Sequence, residues 1–393
     1  MNLSISAPGR LVTIAILAGL VSAFHMGKSP GALPHMGKFF HLSLSQAGLI
    51  VSSFSLLAAG FGLGLGIITA RIGMYFAGIL GLTLVAIGSA LGATSLSFSL
   101  LLGSRLLEGL GFVLVAITMP GIINHVCPAD YRAIAMGIWG AFIPAAMSLM
   151  LLISPSVISH YHWQGVWWLL AGFSLAWAVL FTITFGAVNL PAANASRTWK
   201  DIRQLCAGDP IWLVGAFICY SAMFASVTAF LPTYWIDSYD MTLGHASRMA
   251  SIAVAGNIGG NILAGILVQR GFTLRQILIT ALVMGGTCAV VLFSGKLIVS
   301  SQFYAAVGFA FFSGMLPGAV FASLSSVVPM QTSIPLLVGM VFQGAGIGQV
   351  LGPIGLSALV DYAGDWIYAS IFIAVLALLG IFCGRQLHTT NRE

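Results

Sequence analysis

GIITARIG, residues 66–73, closes one long apolar run, and GILVQRG, residues 265–271, closes another. Their opening glycines, Gly66 and Gly265, stand 199 positions apart, as do Arg71 and Arg270. Outward from them the correspondence continues. Ser43-Leu44 pairs with Thr242-Leu243 at the same offset, each a hydroxyl suited to cap the helix that follows. Pro34 pairs with Pro232 one residue out of step, and Trp163 and Trp366 open the last apolar run of each copy. The chain is one plan written twice, and both copies run in the same direction.

What is repeated is membrane helix. Of 393 residues, 59% are hydrophobic and 6% charged, where a soluble domain carries roughly a quarter charged residues. Twelve apolar runs can each cross a hydrocarbon core of ~30 Å. They fall near 11–34, 44–68, 74–95, 99–124, 132–156, 164–187, 211–235, 246–268, 274–294, 300–326, 334–359 and 366–385. The longest polar connection separates a first half (1–188) from a second (211–393), leaving a linker at 189–210. The fold expected is an all-α polytopic membrane protein of two parallel six-helix halves. Arg10, an apolar run and small residues near Ala23 mimic a signal peptide, but the repeat claims this segment as a retained first helix.

Charge gives the orientation. With the N-terminus inside, ten basic residues (Arg10, Arg71, Arg132, Arg197, Lys200, Arg203, Arg270, Arg275, Arg385, Arg392) face the cytoplasm. Three (Lys38, Arg248, Lys296) face out. That bias places both termini in the cytoplasm of a multi-pass protein of the cell's inner (plasma) membrane. It also accounts for a pI near 9.2 without nucleic acid.

Three local patterns add a resemblance. Gly66, Ala70-Arg71 and Gly73 occupy most of a G-x-x-x-D-R-x-G-R-R loop, though Met74-Tyr75 replaces the terminal basic pair and the acid is missing. RLLEGLG, Arg105 to Gly111, fits R-x-x-x-G-x-G. GIWGAFIPAA, Gly137 to Ala146, keeps a glycine and Pro144 but lacks the glycine-proline signature of drug antiporters. Together with the repeat, these resemble the major facilitator superfamily along essentially the whole chain. The resemblance implies a monomeric secondary transporter, not an enzyme, working by alternating access with the substrate site between the halves. An ion gradient then takes the place of any cofactor. It makes Gly66, Arg71, Gly73, Pro144, Gly265 and Arg270 the conformational elements, with the loop lock weakened by its missing acid. Within the superfamily the chain leans toward importers of small organic anions, of the cyanate and nitroimidazole permease kind.

Ionisable groups inside a bilayer are costly and mark function. Here they are His25 and Lys28 in the first span and Arg105 and Glu108 in the fourth; every Asp lies in or beside a loop. Ser22, His25, Lys28 and Ser29 share one helix face, and Pro30 is placed to bend it. Lys28 either faces a water-filled cavity or snorkels to the outer headgroups. Arg105 and Glu108, three apart, either brace each other or divide the work of anion binding and proton exchange. If they neutralise each other, Lys28 is left free for an anionic substrate. The second half lacks these charges, with Ser226, Met223 and Tyr304 at the matching positions. It offers Tyr220, Asn257, Gln343 and Gln349 as polar contacts or as helix-packing groups.

Other chemistry is not encouraged. Cys127, Cys206, Cys219, Cys288 and Cys383 show no metal or disulfide spacing, and His160 and His162 belong to an outer loop. GAGIGQVLGP and GNIGGNILAG lack the lysine and setting of a phosphate loop, and suit helices that approach closely and slide. The function expected is proton-coupled import of a small organic anion. His25, Lys28, Arg105, Tyr220, Asn257 and Gln343 would contact substrate, with Glu108 or His25 carrying the proton. The alternatives are an exporter of drugs, metabolites or a carboxylate metallophore, and a transport-dead sensor.

Overall fold

A computed structural model describes residues 7–41, 44–188, 190, 208–295, 298–324 and 334–388. Among these residues the regular structure is entirely helical. Twelve helices are long and apolar enough to cross a membrane. They are α1 (Ala7–Phe40), α2 (Leu44–Ile72), α3 (Met74–Ala93) and α4 (Phe98–Val126), then α5 (Ala129–Gly140, resuming over residues 142–160) and α6 (residues 163–185). The second half holds α7 (Asp209–Tyr239), α8 (Leu243–Gln269), α9 (Leu274–Leu292), α10 (Val299–Ala322), α11 (Ile334–Ala363) and α12 (Ile367–Arg385). Most of the expected 189–210 linker and the Ser43 cap lie outside the described residues.

Local chemistry sets the helix ends. Ser97 accepts the Leu100 N–H at the start of α4, and Thr242 accepts the His245 N–H at the start of α8. Thr273 and Gln276 form a reciprocal capping box on α9. Gly73 and Gly271, the final glycines of the two quoted segments, turn the chain at φ 84° and 90°, a region that favours glycine. The repeated sequence therefore builds a repeated turn. Inside α5, Pro144 has no N–H to offer the Gly140 carbonyl, and the helix breaks at Ala141. Tyr161 and His162 leave helical geometry, so Trp163 does open α6. α1 runs longer than expected, remaining helical through Pro30 and Pro34 to Phe40.

The face where α1 begins and α12 ends is called here the terminal face. The halves meet along a seam of α2 against α11 and α5 against α8, with α4 touching α11 and α5 touching α10. The seam is glycine-thin. A Cβ on Gly62 would lie 2.6 Å from the Gly339 carbonyl oxygen, and one on Gly265 would lie 2.7 Å from that of Ala133. Gly66 packs in the same way on Pro335 and Gly339. Among the described residues, three hydrogen bonds cross the seam: Ser55 to Gln349 (3.0 Å), the Leu63 N–H to Gln343 (3.1 Å), and Gln269 to the Asp130 carbonyl. The Gln343 and Gln269 bonds lie toward the terminal face and the Ser55–Gln349 bond near the middle of α2 and α11, so the seam is closed on its terminal side.

Candidate functional site

The four ionisable residues singled out in the first half converge on one point. Glu108, on α4, is shared by three groups. Lys28 on α1 donates to its Oε1 at 2.5 Å, Arg105 one turn earlier on α4 donates to Oε2, and His25 Nδ1 lies 3.3 Å from Oε1. Every one of these side chains is at most 1% exposed. Lys28 also donates to Ser89 of α3 at 2.8 Å and stands 4.2 Å over the Trp167 ring of α6. Ser89 in turn donates to the Trp167 carbonyl. Arg105 donates to the His25 carbonyl at 2.7 Å and to the Ile50 carbonyl of α2 at 3.3 Å. His25 Nε2 meets Ser174 of α6 at 2.8 Å.

This geometry overturns the expectation of an unpaired Lys28. It neither opens to a cavity nor snorkels; it is sealed among α1, α3, α4 and α6 with a carboxylate as partner. The physical reason is charge. An ammonium buried in apolar surroundings must find an anion, and Glu108, fully buried ten residues into α4, supplies it. The polar stripe on α1 is real, but it points into its own bundle rather than toward the other half.

His25 and Glu108 stand side by side in the cluster, two groups whose chemistry lets them take a proton. Counting Lys28 and Arg105 as cations, Glu108 as an anion and His25 as neutral, it carries one net positive charge. His25 Nδ1 lies 3.3 Å from both Lys28 Nζ and Glu108 Oε1. Bare, it accepts from the ammonium; protonated, it donates to the carboxylate. One proton can thus sit on His25 or Glu108 without moving any heavy atom far.

The second-half candidates separate differently. Asn257 is buried, donating to the Ala310 carbonyl and accepting from Asn261, so it ties α8 to α10. Gln343 and Gln349 are seam clasps rather than lining groups. Tyr220, on α7, is partly exposed, faces Asn257, stacks on Phe224 and meets Phe217 edge-on, while Phe224 in turn stacks on Phe309. Met223 and Ser226, opposite numbers of His25 and Lys28, are buried without charge. Tyr304, at the position matching Arg105, is 71% exposed and does not mirror it. Of the conformational set, Gly66 and Gly265 sit in the seam, Pro144 is buried at the α5 break, and Arg71 and Arg270 are exposed at the terminal face. His160 and His162 are exposed.

Sequence reasoning did not reach Ser89, Trp167 and Ser174, which complete the cluster. It also missed an aromatic layer across the seam. Phe54 of α2 lies 5.1 Å from Phe112 of α4, which meets Phe342 of α11 edge-on at 6.2 Å. Trp139 and Phe142 of α5 stack at 4.3 Å, and Trp139 meets Phe321 of α10 at 6.4 Å. Aromatics on opposite halves carry no local pattern by which to recognise each other.

Residues 15–333 match the family profile of the Major Facilitator Superfamily. The chain belongs to that superfamily. As a superfamily member with twelve apolar helices it is a multi-pass membrane transporter and not an enzyme. A hexuronate transporter of Bacillus subtilis is 22% identical over 94% of this chain and 92% of its own length. The multidrug efflux pump LfrA of Mycolicibacterium smegmatis is 27% identical over 61% of this chain, which spans 42% of that longer protein. Among solved structures, the Escherichia coli fucose:proton symporter FucP superposes with a TM-score of 0.75 at 17% identity, covering 96% of this chain and 99% of FucP. The human organic anion transporter MFSD10 gives 0.74 at 15%, covering 97% and 99%. At such identities the superposition establishes the two-halves superfamily fold and nothing of substrate.

Proposed function

We propose that the protein imports a small polyhydroxylated carboxylate, of the sugar-acid class, together with a proton. The observation that carries the reading is the sharing of Glu108 between Lys28, Arg105 and His25. A proton added to Glu108 or His25 raises the cluster from one net positive charge to two. In a low-dielectric bundle that extra charge extends its field into the neighbouring space between the halves and favours an anion there. Proton and anion binding then reinforce each other, which is the thermodynamic condition for symport. His25, Lys28 and Arg105 act on the anion through this field rather than by touching it, and Tyr220 offers a ring face and hydroxyl to the substrate. The full-length likeness to a hexuronate transporter supports a sugar acid over cyanate-type anions.

The positive-inside bias makes the terminal face cytoplasmic, so the closed seam corresponds to an outward-facing state. FucP in its outward conformation is also among the similar structures. Reconstitution tests the reading. Liposomes carrying the protein should accumulate labelled hexuronate against its gradient when the interior is made alkaline, and Glu108→Gln should abolish the accumulation. Uptake indifferent to the pH gradient would overturn it. Drug efflux is the second reading, favoured by the LfrA likeness, and would show as extrusion in the same vesicles.

A further inference from the structure

We propose that Phe54 is the positioning residue through which the charge state of Glu108 reaches the seam between the halves. This rests on the reading of Glu108 as a proton site. Arg105 is the member of the cluster that grips α2. Its Nε donates to the Ile50 carbonyl at 3.3 Å, and its guanidinium carbon stands 4.6 Å over the Phe54 ring, one turn further along. Phe54 is 1% exposed and cannot turn away. Its carbonyl lies so close to Gly109 of α4 that any Cβ there would collide with it.

On the far side, Phe54 faces Phe112, and Phe112 faces Phe342 of the other half. The residue after Phe54 is Ser55, whose hydroxyl spans the seam to Gln349. The Phe54 ring is therefore in contact with the cluster and with the aromatic layer, and its residue adjoins the Ser55 clasp in the chain.

The chemistry supplies the signal. With Glu108 ionised, Arg105 is anchored by its carboxylate. With Glu108 protonated, the bond from Arg105 loses its charge assistance, and the guanidinium leans more on the carbonyls of His25 and Ile50 and on the Phe54 ring. The groups facing Glu108 are Lys28 and His25 from α1 and Arg105 from α4. Ser89 of α3, Ser174 and Trp167 of α6 and the Ile50 carbonyl of α2 complete the shell, and none of these ionises. Arg105 is thus the one charged group that carries a change at Glu108 onto α2.

Spin labels at Lys38→Cys and Arg248→Cys, on a background with the native cysteines replaced by serine, report the separation of the halves away from the terminal face. In the otherwise unaltered protein, acidification should redistribute the distances. Phe54→Leu should weaken that response by about two- to thirtyfold, the range of such couplings, while pH-independent substrate exchange persists. Phe54→Trp, which restores a ring for the guanidinium, should recover the response; Glu108→Gln should show none. A Phe54→Leu protein that responds like its parent overturns the relay and leaves the proton site standing. A parent that does not respond to pH overturns both.

Discussion

The Glu108 carboxylate is held by two cations at once, with Lys28 at 2.5 Å on one oxygen and Arg105 on the other, in a site from which water is excluded. Breaking a buried pair by removing one partner costs more than the pair contributes, because a charge is stranded. Glu108→Gln strands two cations and should destabilise the protein by about 3–5 kcal/mol. Combining it with Lys28→Met removes one of them and should restore part of the loss. Thermal unfolding of the two single variants and the double variant in detergent measures this, and additive losses would show that the residues do not interact.

Lys28 alone gives a different outcome. Lys28→Met leaves Glu108 and Arg105 as a neutral pair, so the net charge that favours an anion is gone. Concentrative uptake should be lost while the protein remains folded. An uptake assay paired with a melting curve separates this from simple unfolding; wild-type accumulation would remove Lys28 from the mechanism.

Seam hydrogen bonds set a population. Gln343 contributes one neutral bond, to the Leu63 N–H, worth about 0.5–1.5 kcal/mol. Gln343→Ala should therefore shift the balance away from the closed terminal face by roughly two- to tenfold. Labelling of an engineered cysteine in the seam from the terminal side reads the shift as a faster reaction.

Close helix approaches should tolerate nothing larger than glycine. A Cβ on Gly260 of α8 would collide with the Phe311 carbonyl of α10, whereas Gly64 of α2 has open space around it. Gly260→Ala should cost about 1–3 kcal/mol by overpacking, seen as a lower unfolding temperature. Gly64→Ala should be neutral or slightly stabilising.

Topology is testable without transport. A fluorescent protein fused after the C-terminus should fold and fluoresce, and alkaline phosphatase fused there should be inactive. The reverse pattern would invert the orientation read from Arg and Lys.

How much of this was legible depended on how far apart the interacting residues lie. The Arg105–Glu108 pair could be read because one helix fixes its geometry at a spacing of three. The twin turns at Gly73 and Gly271 could be read because the same local sequence repeats. Lys28–Glu108 spans 80 residues and depends on how α1 meets α4, which no local pattern encodes. Gln343 and Asn257 looked like substrate contacts because a lone amide in an apolar helix reads the same whether it faces a cavity or clasps a neighbour. The polarity demanded a partner; only the packing says which.

The first half contains the charge cluster, while Met223 and Ser226 occupy the matching places in the second. Two copies of one plan are thus no longer interchangeable. If protons drive the cycle as proposed, they alter the internal electrostatics of the first copy, and the second copy follows rather than leads. Exchanging the second half for that of a related transporter should alter what is carried before it alters what drives the carrying.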